Sequence, residues 1–174
     1  MSKQPSAKTH AEFGLPPSIV TKVDVSRMIN ELESVDNQLT AMAVRARTTR
    51  PPNQTPPILS DQLTDFLKQN KLDIDTGRER RLLIQQLRLL KDKMPVIHMT
   101  FAVTADRESL SQLVHWLRTS VHAQAVISVG LQPALVAGVY MRTPNHVHDF
   151  SLRAALARSH EALVKELEVS RAEG

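Results

Sequence analysis

The sequence predicts an α+β fold: a helical N-terminal region, one of whose roughly three helices is long, followed by a small C-terminal β-α-β-β-β-α domain. Three observations predict it. Apolar residues step by three and four through residues 25–46; the period drops to two at residue 96; helical spacing then alternates with short strand-like runs to about residue 168. The expected organisation is a tail over 1–17, a helical region over 18–95 with a proline spacer at 50–59, and an α+β domain over 96–170.

Residues 1–17 are polar and end in Pro16-Pro17, so a flexible tail is expected. Val25, Met28, Leu32, Val35, Leu39, Met42 and Ala46 then form an a/d seam held for three heptads. Asp24 or Ser26 is placed to cap this helix, and Arg45, Arg47 and Arg50 suit the negative end of its dipole. So narrow a seam calls for another helix, in the same chain, a second copy or another protein. Pro51-Pro52 and Pro56-Pro57 cannot continue it and favour an extended spacer. Ser60 caps a short helix over 61–70 carrying Leu63, Phe66 and Leu67. Thr76 and Glu79 have capping-box spacing and open a third helix with Leu83, Leu87 and Leu90 in line, ended by Met94-Pro95.

Ile97, Met99, Phe101 and Val103 alternate with His98, Thr100 and Ala102 as a strand does. A helix over 106–122 is expected to bury Leu110, Leu113, Val114, Leu117 and Val121. Strands follow at 125–131, with Ile127, Val129 and Leu131 on one side, and at 135–142. The turn Thr143-Pro144-Asn145-His146 returns the chain as a short strand at Val147-His148. Asp149 or Ser151 caps a last helix with Leu152, Leu156, Leu163 and Leu167 inward.

Composition narrows the function classes. The chain has no cysteine, which removes disulfides, thiolate metal sites and cysteine nucleophiles. One Trp, one Tyr and four Phe leave little for base stacking, and five Gly argue against a loop-rich nucleotide site. No apolar run approaches the roughly 18 residues of a membrane span. The polar N-terminus lacks a signal-peptide core and reads as cytosolic. Net charge is +4, all of it carried by residues 1–95, where 15 Lys+Arg face 11 Asp+Glu; residues 96–174 balance at 7 and 7. An excess this small is ordinary solubilising charge rather than a nucleic-acid footprint.

No catalytic constellation stands out: no phosphate loop, nucleophile elbow or metalloprotease helix. His146, His148 and Asp149, with His160, are candidate metal ligands, but hairpin tips and helix caps attract polar residues anyway. Neither a cofactor nor a metal site is expected. Arg78, Arg80, Arg81 and Arg88 do not share one face and read as a solvated surface, and Trp116 as a residue at the edge of the core. The heptad seam is the feature whose functional reading is strongest.

The run Leu135-Val136-Ala137-Gly138-Val139-Tyr140-Met141-Arg142, then Val147-His148-Asp149-Phe150-Ser151-Leu152-Arg153 and Leu156, resembles the C-terminal signature of the ATP synthase delta subunit family, which includes the oligomycin-sensitivity-conferring protein. The resemblance covers about residues 94–168. Gly138, Arg142, Asp149, Ser151 and Arg153 fall in register with its motif, Gly138 as a point of close backbone approach and Arg153 as a partner for Asp149. Two features depart from it: Phe150 stands where the family has Gly, and 18–95 offers fewer helices than the family's six-helix bundle.

The resemblance implies a non-catalytic subunit of a bacterial F-type ATP synthase, at the inner face of the plasma membrane, linking the F1 head to the peripheral stalk and resisting torque. It implies the b-subunit stalk and the alpha-subunit N-terminal helices as partners. Leu156, Leu163 and Leu167 are the candidate stalk contacts, and Val25, Leu32 and Leu39 the seam contacts. The alternative is a homodimeric helical adaptor self-associating through 24–47, with an RNA-binding module behind it.

Overall fold

The computed structural model describes residues 9–48, 57–143 and 145–160. Its elements in order are α1 (Lys22–Thr48), α2 (Asp61–Asn70), α3 (Gly77–Lys93), β1 (Val96–Phe101), α4 (Arg107–Ser120), β2 (Val126–Leu131), β3 (Val139–Arg142) and β4 (Val147–Asp149). A further helix, α5, starts at residue 152 and is described to residue 160. The α+β class and the element order are as expected. The chain divides into two compact units, one of residues 1–95 with 111–126, the other of 96–110 with 127–174. Most of α4 and the turn after it therefore belong with the helical region, where a single boundary at residue 96 was expected.

In the helical unit α1 packs along α3. The seam residues Val25, Met28, Leu32 and Val35 are buried, as are Leu83, Leu87 and Leu90 of α3 and Leu63 and Phe66 of α2. Each such side chain contributes about 1.5–3 kcal/mol through removal from water. The start of α1 differs from expectation. Thr21 is its cap: the Thr21 hydroxyl accepts from the Asp24 amide at 3.3 Å, and the Asp24 carboxylate accepts from the Thr21 amide at 2.9 Å. That is a reciprocal capping box, with Asp24 three residues inside the helix rather than at its cap. Ser26 instead donates its hydroxyl to the Lys22 carbonyl.

The other two caps are as expected. Ser60 accepts from the Leu63 amide, and its own amide and hydroxyl donate to the Glu31 carboxylate at 2.6 Å each, fastening the start of α2 to α1. Thr76 and Glu79 form the capping box of α3. The arginines of α3 do not form one solvated face. Arg80 is buried, donating to Asp36 at 2.7 Å and to the carbonyls of Ile74 and Asp75; Arg88 pairs with Glu33 at 2.7 Å. A buried guanidinium needs all these acceptors to offset its lost hydration.

The expected tail does not extend to residue 17. His10–Glu12 is a 3-10 turn, and Phe13, Leu15, Ile19 and Val20 are buried, with Phe13 edge-on to Phe66 at 5.5 Å between ring centroids. Its apolar residues are spaced too irregularly for any period, so sequence pattern alone did not reveal them. Residues 50–56 of the proline spacer lie outside the described residues.

The second unit holds a four-stranded sheet in the order β2-β1-β3-β4. β1 and β3 are antiparallel, with Met99 opposite Met141, and so are β3 and β4, with Tyr140 opposite Asp149. Ile97 and Met99 are buried and His98 is exposed, the alternation read from the sequence. Several boundaries are shorter than expected. β1 ends at Phe101 and leaves Val103 exposed. Residues 133–135 form a 3-10 turn, so β3 begins only at Val139. In α4, Val114 and Leu117 are buried as expected, but Val121 lies beyond the helix end and is exposed. On β2 the buried residues are Val126 and Ile127, while Val129 and Leu131 are exposed.

Candidate partner-binding surface

The run that carries the family resemblance folds into one corner of the second unit. Gly138 has a φ of +96°, a conformation open to Gly and costly for other residues. A Cβ there would meet the Phe150 carbonyl oxygen and lie 2.8 Å from the Ser151 Cα. Main-chain bonds close the corner: Phe150 N–H to the Val139 carbonyl and Leu152 N–H to the Ala137 carbonyl, both at 2.9 Å, and Ala102 N–H to the Gly138 carbonyl at 3.3 Å. The close approach expected of Gly138 is therefore made by the segment that opens α5. Phe150 carries no positive φ, so its replacement of a glycine brings no backbone strain.

Ser151 is the cap of α5: its hydroxyl accepts from the Ala154 amide, and it is buried. Asp149 accepts from the Ser151 amide at 2.9 Å. The hydroxyl and amide of Ser151 hold the Asp149 carboxyl below its usual range, and the positive charges of Arg158 and Arg153 act in the same direction. No Asp149–Arg153 ion pair occurs among the described residues; Arg153 acts on Asp149 through space. Asp149 and Arg153 line an open cleft with Gln132, Leu135 and Tyr140. Arg142 is exposed, opposite Val147.

On the hairpin's other side the rings of His146, His148 and Phe150 form an exposed ladder. Their centroids are 6.2 Å apart for the two histidines and 5.8 Å for the stacked His148–Phe150 pair. Among the described residues no group of three or more His, Cys, Asp or Glu is arranged to hold a metal ion.

The face of α5 read as inward is turned to solvent: Leu152 is 44% and Leu156 61% exposed. Leu163 and Leu167 lie outside the described residues. Of the seam contacts, Val25 and Leu32 are fully enclosed by the chain's own helical unit, while Leu39 is half-buried and Val44 beyond it is exposed. Sequence reasoning missed Val136, the central residue of a γ-turn with φ 64° and ψ −56°, closed by the Ala137 amide on the Leu135 carbonyl at 2.7 Å. A β-branched residue there is strained, and no sequence pattern announces it.

No helix among the described residues is long and apolar enough to cross a membrane. No family model and no curated protein matches the chain. Among solved structures, it is similar to a chain of the Toxoplasma gondii mitochondrial ATP synthase hexamer, with 18% identity and a TM-score of 0.35, covering 82% of this chain and 96% of that one. A likeness that distant transfers no role.

Proposed function

We propose that the chain is a non-catalytic, delta-type subunit of a bacterial F-type ATP synthase, at the inner face of the plasma membrane, joining the F1 head to the b-subunit stalk. The observation that carries the reading is the corner at residues 137–156. Of the motif residues, Gly138, Asp149 and Ser151 meet there, and the helix it opens presents Leu152 and Leu156 to solvent. An apolar pair four residues apart on an open helix face is what an amphipathic partner helix packs against. In this reading α5 takes the b-subunit tail, and the helical unit takes the alpha-subunit N-terminal helices.

The test is calorimetry of the full chain with the cytoplasmic tail of the b subunit and with the N-terminal peptide of the alpha subunit from the same organism. Binding of the b tail, reduced at least tenfold by Leu156→Asp, is the expected result. Failure to bind either, with a concentration-dependent dimer by light scattering, replaces the stator reading with the self-associating adaptor. That adaptor would have to use Leu39, Met42 and Val44, since Val25 and Leu32 are already enclosed.

A further inference from the structure

Residues 10–20 are held in the helical unit chiefly by side chains that grip their backbone. Arg118 of α4 donates to the carbonyls of Leu15 at 3.0 Å, Pro16 at 2.9 Å and Ile19 at 2.5 Å; its fourth bond is to the Ala125 carbonyl. Asn70 of α2 both accepts from the Gly14 amide and donates to the Gly14 carbonyl, at 2.8 and 2.9 Å, as a neighbouring strand would. Gln124 donates to the carbonyls of His10 and Phe13 at 2.8 and 3.0 Å. Gln62 donates to the Ser18 carbonyl, and Ser111 to the Pro17 carbonyl. Between these bonds, Phe13, Leu15 and Ile19 are buried as anchors.

The segment is turned at His10–Glu12 and again at Pro16–Ile19 and extended between, and it is held as a bound peptide is: polar side chains satisfy its main chain, and a few pockets take its apolar residues. The gripping residues come 44 to 114 positions later in the sequence than the residues they hold. All four bonds of Arg118 go to carbonyls, and burial lowers its pKa to about 10. Among the described residues this guanidinium has no ion-pair partner, and it depends on the segment for three of its four hydrogen bonds.

We propose that the helical unit contains a peptide-binding groove occupied by the chain's own residues 10–20, an intramolecular ligand that leaves as one piece. Its ligand class is a peptide extended between two turns, with Phe at the first anchor and aliphatic residues two and six positions later. The tether supplies an effective concentration in the millimolar range, so the groove is closed in the free chain. The inference stands independently of the ATP synthase reading.

The test uses the full chain carrying Phe13→Ala and Leu15→Ala, with a fluorescein-labelled synthetic peptide of residues 9–20 followed by anisotropy. The variant is expected to keep its helical circular dichroism and to bind the peptide at least tenfold more tightly than the unaltered chain, whose own segment competes. Adding Arg118→Met to the variant is expected to weaken that binding at least tenfold. Three results each overturn the proposal. The first is a folded variant that does not bind. The second is equal binding by both chains, which places the peptide elsewhere. The third is a variant that unfolds, which makes the segment integral core.

Discussion

The carbonyl oxygen of Phe150 occupies the space that a side chain on Gly138 would need. Two residues twelve apart in sequence are thereby locked backbone to backbone, and the lock sets where α5 leaves the sheet. Through it, a residue type at one position determines how the exposed apolar helix face is presented.

Gly138→Ala is expected to destabilise the chain by about 2–4 kcal/mol. Part is the unfavourable positive φ for a residue with a Cβ, and part the displacement of main chain that cannot rotate away. Urea unfolding followed by circular dichroism checks it. Gly130→Ala is the control: its added Cβ meets the Thr100 hydroxyl at 3.3 Å, a side chain able to move, and the expected loss is below about 1 kcal/mol.

Val136→Gly is expected to stabilise the chain. The γ-turn strains a β-branched residue by on the order of 1–3 kcal/mol, and glycine's greater freedom in the unfolded chain returns about 0.5–1 kcal/mol of that. Val136 is 73% exposed, so little packing is lost. A net gain near 1 kcal/mol appears as a higher denaturation midpoint at unchanged m-value.

The two halves of the α1 seam are expected to respond differently to truncation. Leu32→Ala empties a fully buried site and costs about 2–5 kcal/mol. Leu39→Ala, at a half-buried position, costs about 1 kcal/mol or less. Thermal melts of the two variants make the comparison. An equal and small loss at both sites means that Leu32 is not enclosed by its own chain.

Asp149 provides a pH dependence whose sign follows from its partners. Its pKa is lowered from the ordinary 3.8, chiefly by Ser151, so the carboxylate is favoured in the folded state. The stabilisation is complete above the ordinary value and is lost as pH falls through the lowered one. Carboxyl carbon NMR is expected to show Asp149 titrating below the ordinary value. The Ser151 amide should lose protection over the same step, and Asp149→Asn should remove that step.

Local signals carried much of the fold. Ser60, Thr76 and Glu79 cap where their spacing said, because a cap is satisfied within four residues of chain. The shift from helical to alternating period located β1 because burial on one face of a strand imposes it. At the corner, the close backbone approach at Gly138 and the helix cap at Ser151 were legible from residue type and position. The outward face of α5 was not: Leu152 and Leu156 have the same spacing whether a helix faces its own core or a partner.

The sequence by itself determined the order of helices and strands, the caps of α2 and α3 and which stripe of each main helix is apolar, since these depend on neighbours within a turn or two. Tertiary structure decided the rest. It placed residues 10–20 inside the helical unit through Arg118 and Gln124, and it buried Arg80 against Asp36, 44 positions earlier. It also joined the later part of α4 to the helical region. Such contacts are made by individual side chains between residues distant in sequence, which leave no period or spacing in the chain that makes them.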